Sequence, residues 1–322
     1  MKRLPVVDYT NHPAYSVQEI SGDTVRSALE AFEPILFRKM GLLRESEDVF
    51  RSRVTSHRDS TVATFAQDGA VAMSISAKDL DAVRAASARF ETELRERING
   101  KRRIRLRFRE TQFLVHSDTE VVSGFEGLHA ALQTALERSG ALEVAEAYFG
   151  GHKASLARTV YRINVAGQPF YNNLFSDTSI QLPQTTGFHI DANGRPAING
   201  TLYLSDVAEG QGAFENVTGS NHWAFELEDR AIRKTFDDRI IRSDTERFLM
   251  SLPRWFRRRA NFGHDLVEGS EEARQVLDNR HSFIGEAGSL ILFDPDAVHR
   301  GGDVRKGERI AIIFGLQMAR RS

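Results

Sequence analysis

The period of the apolar positions changes along this chain, and the change divides it. From residue 20 to 54 they fall at helical spacing (Val25, Leu29, Phe32, Leu36) among acids and arginines, with Pro34 and Gly41 as breaks. A new unit is expected to open at Phe65. There FAQDGAVAMSISAKDLDAVRAASARFETELRERI reads as a short strand followed by a long amphipathic helix, with Ser76 as N-cap and Asp79 as its capping-box partner. Residues 101–110 alternate Ile104, Leu106 and Phe108 with Arg103, Arg105, Arg107 and Arg109, a strand pattern with one apolar and one basic face. Residues 123–148 return to helix.

After residue 154 period two dominates. Candidate strands are 156–165, 187–191, 198–205, 212–217, 289–294 and 308–318. Short strands with Gly-rich turns, preceded by helices, predict an α+β chain with a mainly β core. The expected form is a double-stranded β-helix (a cupin-like jelly roll) with helices packed outside. A polar, mostly helical insert over 224–281 is too long for a plain loop. The predicted organisation is a helical extension over 1–62 and one domain over 63–322 that carries the insert.

Composition narrows the chemistry. The 322 residues are 41% hydrophobic and 27% charged, ordinary globular values, and 43 basic against 44 acidic side chains leave a net charge of -1. That balance predicts no nucleic-acid partner. The absence of cysteine excludes disulfides, thiolate-held zinc, cysteine-held iron–sulfur clusters and thiol nucleophiles. A metal here would take histidine and carboxylate ligands. No apolar run approaches the roughly 20 residues that cross a bilayer. No apolar stretch follows Met1-Lys2-Arg3-Leu4-Pro5, so no signal peptide and no membrane partner are expected, and a cytoplasmic location is.

In GFHIDANGRPAINGTLYLSD, beginning at Gly187, His189 and Asp191 are two apart and so share one face of a strand. In GEAGSLILFDPDAVHRGGDVRKGERIAIIFGLQ, beginning at Gly285, a buried strand leads into a loop that carries His299. The two histidines are 110 residues apart, but a jelly roll brings distant strands to one barrel mouth. Two histidines and one carboxylate suit iron(II), Fe(II), leaving cis positions for a co-substrate and dioxygen (O2). Arg309 opens the last apolar strand. Two readings are open: it pairs at the strand edge with Glu308 or Asp303, or it faces the barrel and grips the far carboxylate of a dicarboxylate co-substrate.

In order, these pieces resemble the phytanoyl-CoA dioxygenase (PhyH-like) family of iron(II)/2-oxoglutarate oxygenases over about residues 65–318. FAQDGAVAMSISAKDLDAVRAA is similar to that family's first strand and helix, and HID to its ligand pair. GQGAFENVTGSNHW resembles its Gly-Ser-His turn, although Asn221 intervenes before His222. GSLILFDPDAVHRGG is similar to the segment that carries its second histidine. The resemblance implies that His189, Asp191 and His299 hold iron and that Arg309 binds 2-oxoglutarate. It further implies that substrate is oxidised, by default hydroxylated at an unactivated C–H, with release of succinate and CO2.

Weaker candidates follow from placement. Thr201 shares a strand face with Tyr203 and is a candidate for the co-substrate carboxylates, with core packing as the alternative. Tyr161, Asn164, Asn193, Arg195 and Trp223 are candidates for a substrate pocket. His222 is read chiefly as a turn residue. RWFRRRA, beginning at Arg254, and the arginine strand are read first as solvated faces and second as grips for an anionic substrate, small or carrier-linked. Two rivals remain at this stage: a cupin-like isomerase or hydrolase that does not use 2-oxoglutarate, and a non-catalytic binding protein on the same fold.

Overall fold

A computed structural model describes residues 60–99, 113–116, 125–166, 188–191, 197–222, 269 and 271–319. The arginine strand at 101–110, most of the insert, nearly all of 1–62, and Asn193, Arg195 and Trp223 lie outside the described residues. In chain order the elements are α1 (Ser60–Asp68), β1 (Ala70–Ser74), α2 (Ala77–Asn99), β2 (Phe113–His116), α3 (Phe125–Arg138), α4 (Ala141–Tyr148), β3 (Ala154–Val165) and β4 (Ala197–Tyr203). There follow β5 (Phe214–Val217), a 3-10 turn (Ser220–His222), α5 (Glu271–Asp278), β6 (Arg280–Phe283), β7 (Ser289–Phe293), β8 (His299–Gly301) and β9 (Glu308–Met318).

The expected strands over 156–165, 198–205, 212–217, 289–294 and 308–318 correspond to β3, β4, β5, β7 and β9, with ends shifted by up to two residues. Four expectations change. Phe65 lies inside α1, which runs across the boundary expected at residue 62. The helix expected over 123–148 is two helices, because Gly140 takes a left-handed φ of 77° between them. The end of the insert is a strand, β6, paired with β5. His299 begins the short strand β8 instead of lying in a loop.

Every strand pairing among the described residues is antiparallel. Six strands form one sheet in the order β1-β7-β4-β9-β3-β2, and three form a second in the order β6-β5-β8. A bridge between His189 and His299 adds the ligand segment to the edge of the smaller sheet. Alternation then sorts the side chains of the larger sheet. Ile198 and Leu202 of β4, Leu290 and Leu292 of β7, and Ile310, Ile312, Phe314 and Leu316 of β9 pack outward against α1–α4. Along α2 the stripe Leu80, Val83, Phe90 and Leu94 meets them at helical spacing. The helix starts where expected: Asp79 N–H donates to Ser76 Oγ at 3.1 Å, and that hydroxyl donates to Asp79 Oδ2 at 2.7 Å.

The opposite face of the sheet turns toward β5. Phe214 stacks near Phe293 with ring centroids 4.4 Å apart, in a second core with Tyr203, Ile291 and Ala311. Tyr203 ties the two sheets together: its hydroxyl accepts Phe214 N–H at 2.8 Å and donates to Phe283 O at 2.9 Å. That hydroxyl is thereby committed to the sheet, which removes Tyr203 as a companion of Thr201 in holding a carboxylate.

Candidate metal centre

Local alternation builds the site. Phe188 and Ile190 are buried in an apolar cluster with Val217, Val276 and Val298, so His189 and Asp191 between and beyond them face the other way. His189 and His299 exchange both backbone hydrogen bonds, each 2.9 Å, which places two residues 110 apart in sequence directly opposite each other. Asp191 N–H donates to Pro295 O at 2.8 Å and continues that pairing.

One ligand atom from each of His189, Asp191 and His299 lies within 4.8 Å of the others. His189 Nε2 is 3.4 Å from Asp191 Oδ1, and His299 Nε2 is 3.5 Å from Asp191 Oδ2. Ligand atoms about 2.1 Å from a shared ion and mutually cis would sit about 3 Å apart, so the set fits a small divalent metal with little movement. Among the described residues this is the one such cluster of His, Asp and Glu.

Neighbours fix the ligands. His299 Nδ1 donates to Ala297 O at 2.8 Å, which fixes the ring and leaves Nε2 facing the cluster. The His299 ring packs 4.6 Å from Phe293 and 4.5 Å from His189. Asp191 Oδ2 accepts a hydrogen bond from Asn199 Nδ2 at 2.8 Å. Burial pushes the Asp191 carboxyl up, but the flanking imidazoles of His189 and His299 outweigh it and hold the group well below the usual carboxylate range. Asp191 is therefore an anion poised beside two nitrogen donors. The His299 side chain is 4% exposed, against 18% for His189 and 33% for Asp191, so the cluster is closed on one flank and open on the other.

The loop before His299 is held from below. Asp294 N–H donates to Gly69 O at 2.8 Å, and Tyr148 OH donates to Asp294 Oδ2 at 2.6 Å. Val298 N–H donates to Ser220 Oγ at 2.7 Å, in the turn that also contains His222. Gly69 takes a left-handed φ of 77°, and a Cβ there would come within 2.9 Å of Ala297. His222, exposed, bonds Ala66 O through Nε2 at 2.7 Å, which fits the turn role expected of it.

The other sequence candidates separate. Arg309 is buried on the inner face of β9, where NH1 donates to Gly212 O and NH2 to Asn164 Oδ1 (3.0 Å). Asn164 stands directly across from it on β3. Glu308 faces the helices and pairs with Arg95 at 2.6 Å, so the strand-edge pair of Arg309 with Glu308 does not form. Thr201 is buried on the inner face of β4. Tyr161 is a correction. Its ring lies in the helix-facing core 6.3 Å from Phe90 and its hydroxyl reaches Glu91, because three residues from Asn164 is the opposite side of a strand. Asn199 was missed, although it has the same parity as Thr201 and a buried strand asparagine needs a partner.

No protein-family model matches the chain, and no curated protein matches it. Solved structures do. AviO1 from Streptomyces viridochromogenes Tue57 aligns over 81% of this chain and 95% of its own at 13% identity, with a TM-score of 0.44. The non-heme alpha-ketoglutarate-dependent carbocyclase SnoK from nogalamycin biosynthesis aligns over 82% and 85% at 15% identity, TM-score 0.47. EctD from S. alaskensis, crystallised with 2-oxoglutarate and 5-hydroxyectoine, aligns over 82% and 80% at 12% identity, TM-score 0.45. Similarity at this level leaves the chemistry to be read from the residues themselves.

Proposed function

We propose that this chain is a mononuclear iron(II)- and 2-oxoglutarate-dependent oxygenase on a double-stranded β-helix of the PhyH-like kind. The observation that carries the reading is the convergence of His189, Asp191 and His299 ligand atoms within 4.8 Å, with the His299 ring fixed by Ala297 O. Asp191, held ionised between two imidazoles, supplies the anionic ligand and lowers the charge of the site. When bound, iron with 2-oxoglutarate and O2 would supply oxidation of an unactivated C–H, with succinate and CO2 released.

The protein's share is placement. Arg309 offers a guanidinium on the inner face of β9, and exchanging its contacts with Gly212 O and Asn164 for a carboxylate would seat the far end of 2-oxoglutarate. Thr201, a buried residue on the inner face of β4, adds a hydroxyl to the same face. Phe293 and Phe214 exclude water behind His299. The exposed flank at His189 and Asp191 is where a small or carrier-linked organic substrate would enter. Hydroxylation is the simplest outcome of this arrangement.

A second reading, a cupin-like isomerase or hydrolase, draws on one observation: Arg309 already has protein acceptors and so does not require a co-substrate. Mixing metal-free protein anaerobically with iron(II) and 2-oxoglutarate separates the two. The oxygenase predicts the weak visible charge-transfer band of the chelated 2-oxo acid, lost in His189→Ala and needing much more 2-oxoglutarate in Arg309→Ala. Iron binding with no band at saturating 2-oxoglutarate would establish the second reading instead.

A further inference from the structure

The inner face of the larger sheet carries a row of cross-strand partners beside the metal cluster: Phe293 on β7, Asn199 on β4, Gly315 on β9 and Arg158 on β3. Phe293 packs on His299, and Asn199 donates to Asp191, so the row runs from the cluster toward Arg158. Gly315 interrupts it. A Cβ there would stand 3.4 Å from Asn199 Oδ1 and 3.8 Å from Arg158 Cβ, directly between them. Glycine therefore leaves a slot whose walls are the amide that braces Asp191 and the stem of Arg158. Two strand spacings separate the walls, about 10 Å between Cα atoms, within the reach of an arginine side chain.

Arg158 is on this face because of a bulge. The register of β3 against β9 shifts between Leu156 and Arg158, leaving Ala157 extra. Unbroken alternation would put Leu156 and Arg158 on the same side. With the extra residue, Leu156 packs into the helix-facing core while Arg158 turns inward. Arg158 is half-buried, and its guanidinium forms no hydrogen bond or ion pair with any described residue. Arg309 on the same face donates through its two terminal nitrogens to Gly212 O and Asn164 Oδ1. A sheet that breaks its own register to bring an unengaged cation beside a metal cluster, and clears the intervening position of a side chain, is arranged to receive an anion.

We propose that Arg158 anchors an oxyanion group, carboxylate or phosphate, of the organic substrate in the slot at Gly315, which orients the rest of that molecule over Asp191. This deepens the oxygenase reading by naming a substrate class, and it rests on that reading for the word substrate.

The test uses the full chain, metal-free, at low salt, titrated calorimetrically with propionate, methyl phosphate and neutral propionamide. Wild-type protein should take up at least one of the anions in preference to the amide, and whichever binds tighter names the oxyanion. Arg158→Gln should weaken that binding about tenfold or more, as expected for a charged hydrogen bond. Arg158→Lys should retain part of it. Gly315→Val should weaken it with the arginine intact, which separates a blocked slot from a lost charge. Melting temperatures near wild type certify the folds. Equal anion affinity in wild type and Arg158→Gln, or no preference over propionamide, overturns the proposal. The iron(II)/2-oxoglutarate band is recorded on the same proteins. A band with no anion effect removes the anchor alone, whereas an anion effect with no band keeps the slot and removes the oxygenase.

Discussion

The two faces of the six-stranded sheet are made from alternate residues of the same strands; both pack apolar side chains, but only the inner one also carries the site's polar groups. Toward the helices β9 shows Ile310, Ile312, Phe314 and Leu316; toward the second sheet it shows Arg309, Ala311, Ile313 and Gly315. β4 divides the same way, Ile198 and Leu202 outward, Asn199, Thr201 and Tyr203 inward. The outer face gains from burying apolar area and has few geometric demands. The inner face buries polar groups, which is costly unless each is bonded. Most are: Asn199 to Asp191, Asn164 to Arg309, Tyr203 to Phe283 and Phe214. One backbone thus separates a surface that holds the fold from a surface that holds a site, and substitutions on the two should have different signatures.

The largest effect should come from the inner side. His299→Ala should abolish stoichiometric iron(II) binding, measured by metal analysis after desalting, while leaving a cooperative thermal transition; loss of the transition as well would show that the faces are not separable. Next, Phe314→Ala on the outer face should cost about 3–5 kcal/mol in urea denaturation. The protein that remains folded should bind iron with unchanged affinity. Asn199→Ala should do the reverse on a smaller scale: a loss on the order of 10–100-fold in iron affinity, as for other groups that orient metal ligands, and little change in urea midpoint. A large fall in stability with normal iron binding would reassign Asn199 to the core.

The smallest effect lies at the edge of the outer face. The hydrogen bond from Arg95 holds the Glu308 carboxyl below its ordinary value of 4.5, against a smaller opposing effect of burial. A depressed carboxylate contributes stability above its unfolded pKa and loses it as pH falls through its folded pKa. The stability difference between wild type and Glu308→Gln should therefore be full at pH 7 and be lost in acid as pH falls below 4.5 and through the depressed folded value. Because both side chains are about a third exposed, it should amount to at most roughly 1 kcal/mol and shrink with salt.

How much of this was legible in the sequence depends on parity. Where period two is unbroken, pattern and structure agree closely: the alternation predicts β9 with its ends, and spacing alone puts His189 and Asp191 on one face. Tyr161 and Asn164, both pocket candidates by sequence, are an odd three residues apart and so face opposite sides of β3. Arg158 was beyond reach, since a bulge at Ala157 inverts parity and only the pairing with β9 reveals it. Two short strands were also hidden. β8 has three residues, too few for a period, and RHSF in β6 reads as polar because it is largely exposed and is fixed by its partner β5. Residues far from the cluster in sequence, Tyr148 and Gly69 among them, brace the loop before His299 through contacts that no local pattern announces.

The reciprocal backbone bonds between His189 and His299 have a consequence in chain statistics. They close a loop of 110 residues using peptide groups, before any ion is present. The entropy of bringing the two histidines together is thus borne by the sheet, and a metal meets ligands that are already neighbours. Closure entropy grows only with the logarithm of loop length, about 0.6 kcal/mol for each doubling. Segments strung between the two histidines can therefore lengthen, shorten or change sequence with little thermodynamic pull on the ligands. The 224–281 stretch occupies that permissive interval, so this architecture lets what surrounds the metal diverge while the metal's own geometry stays put.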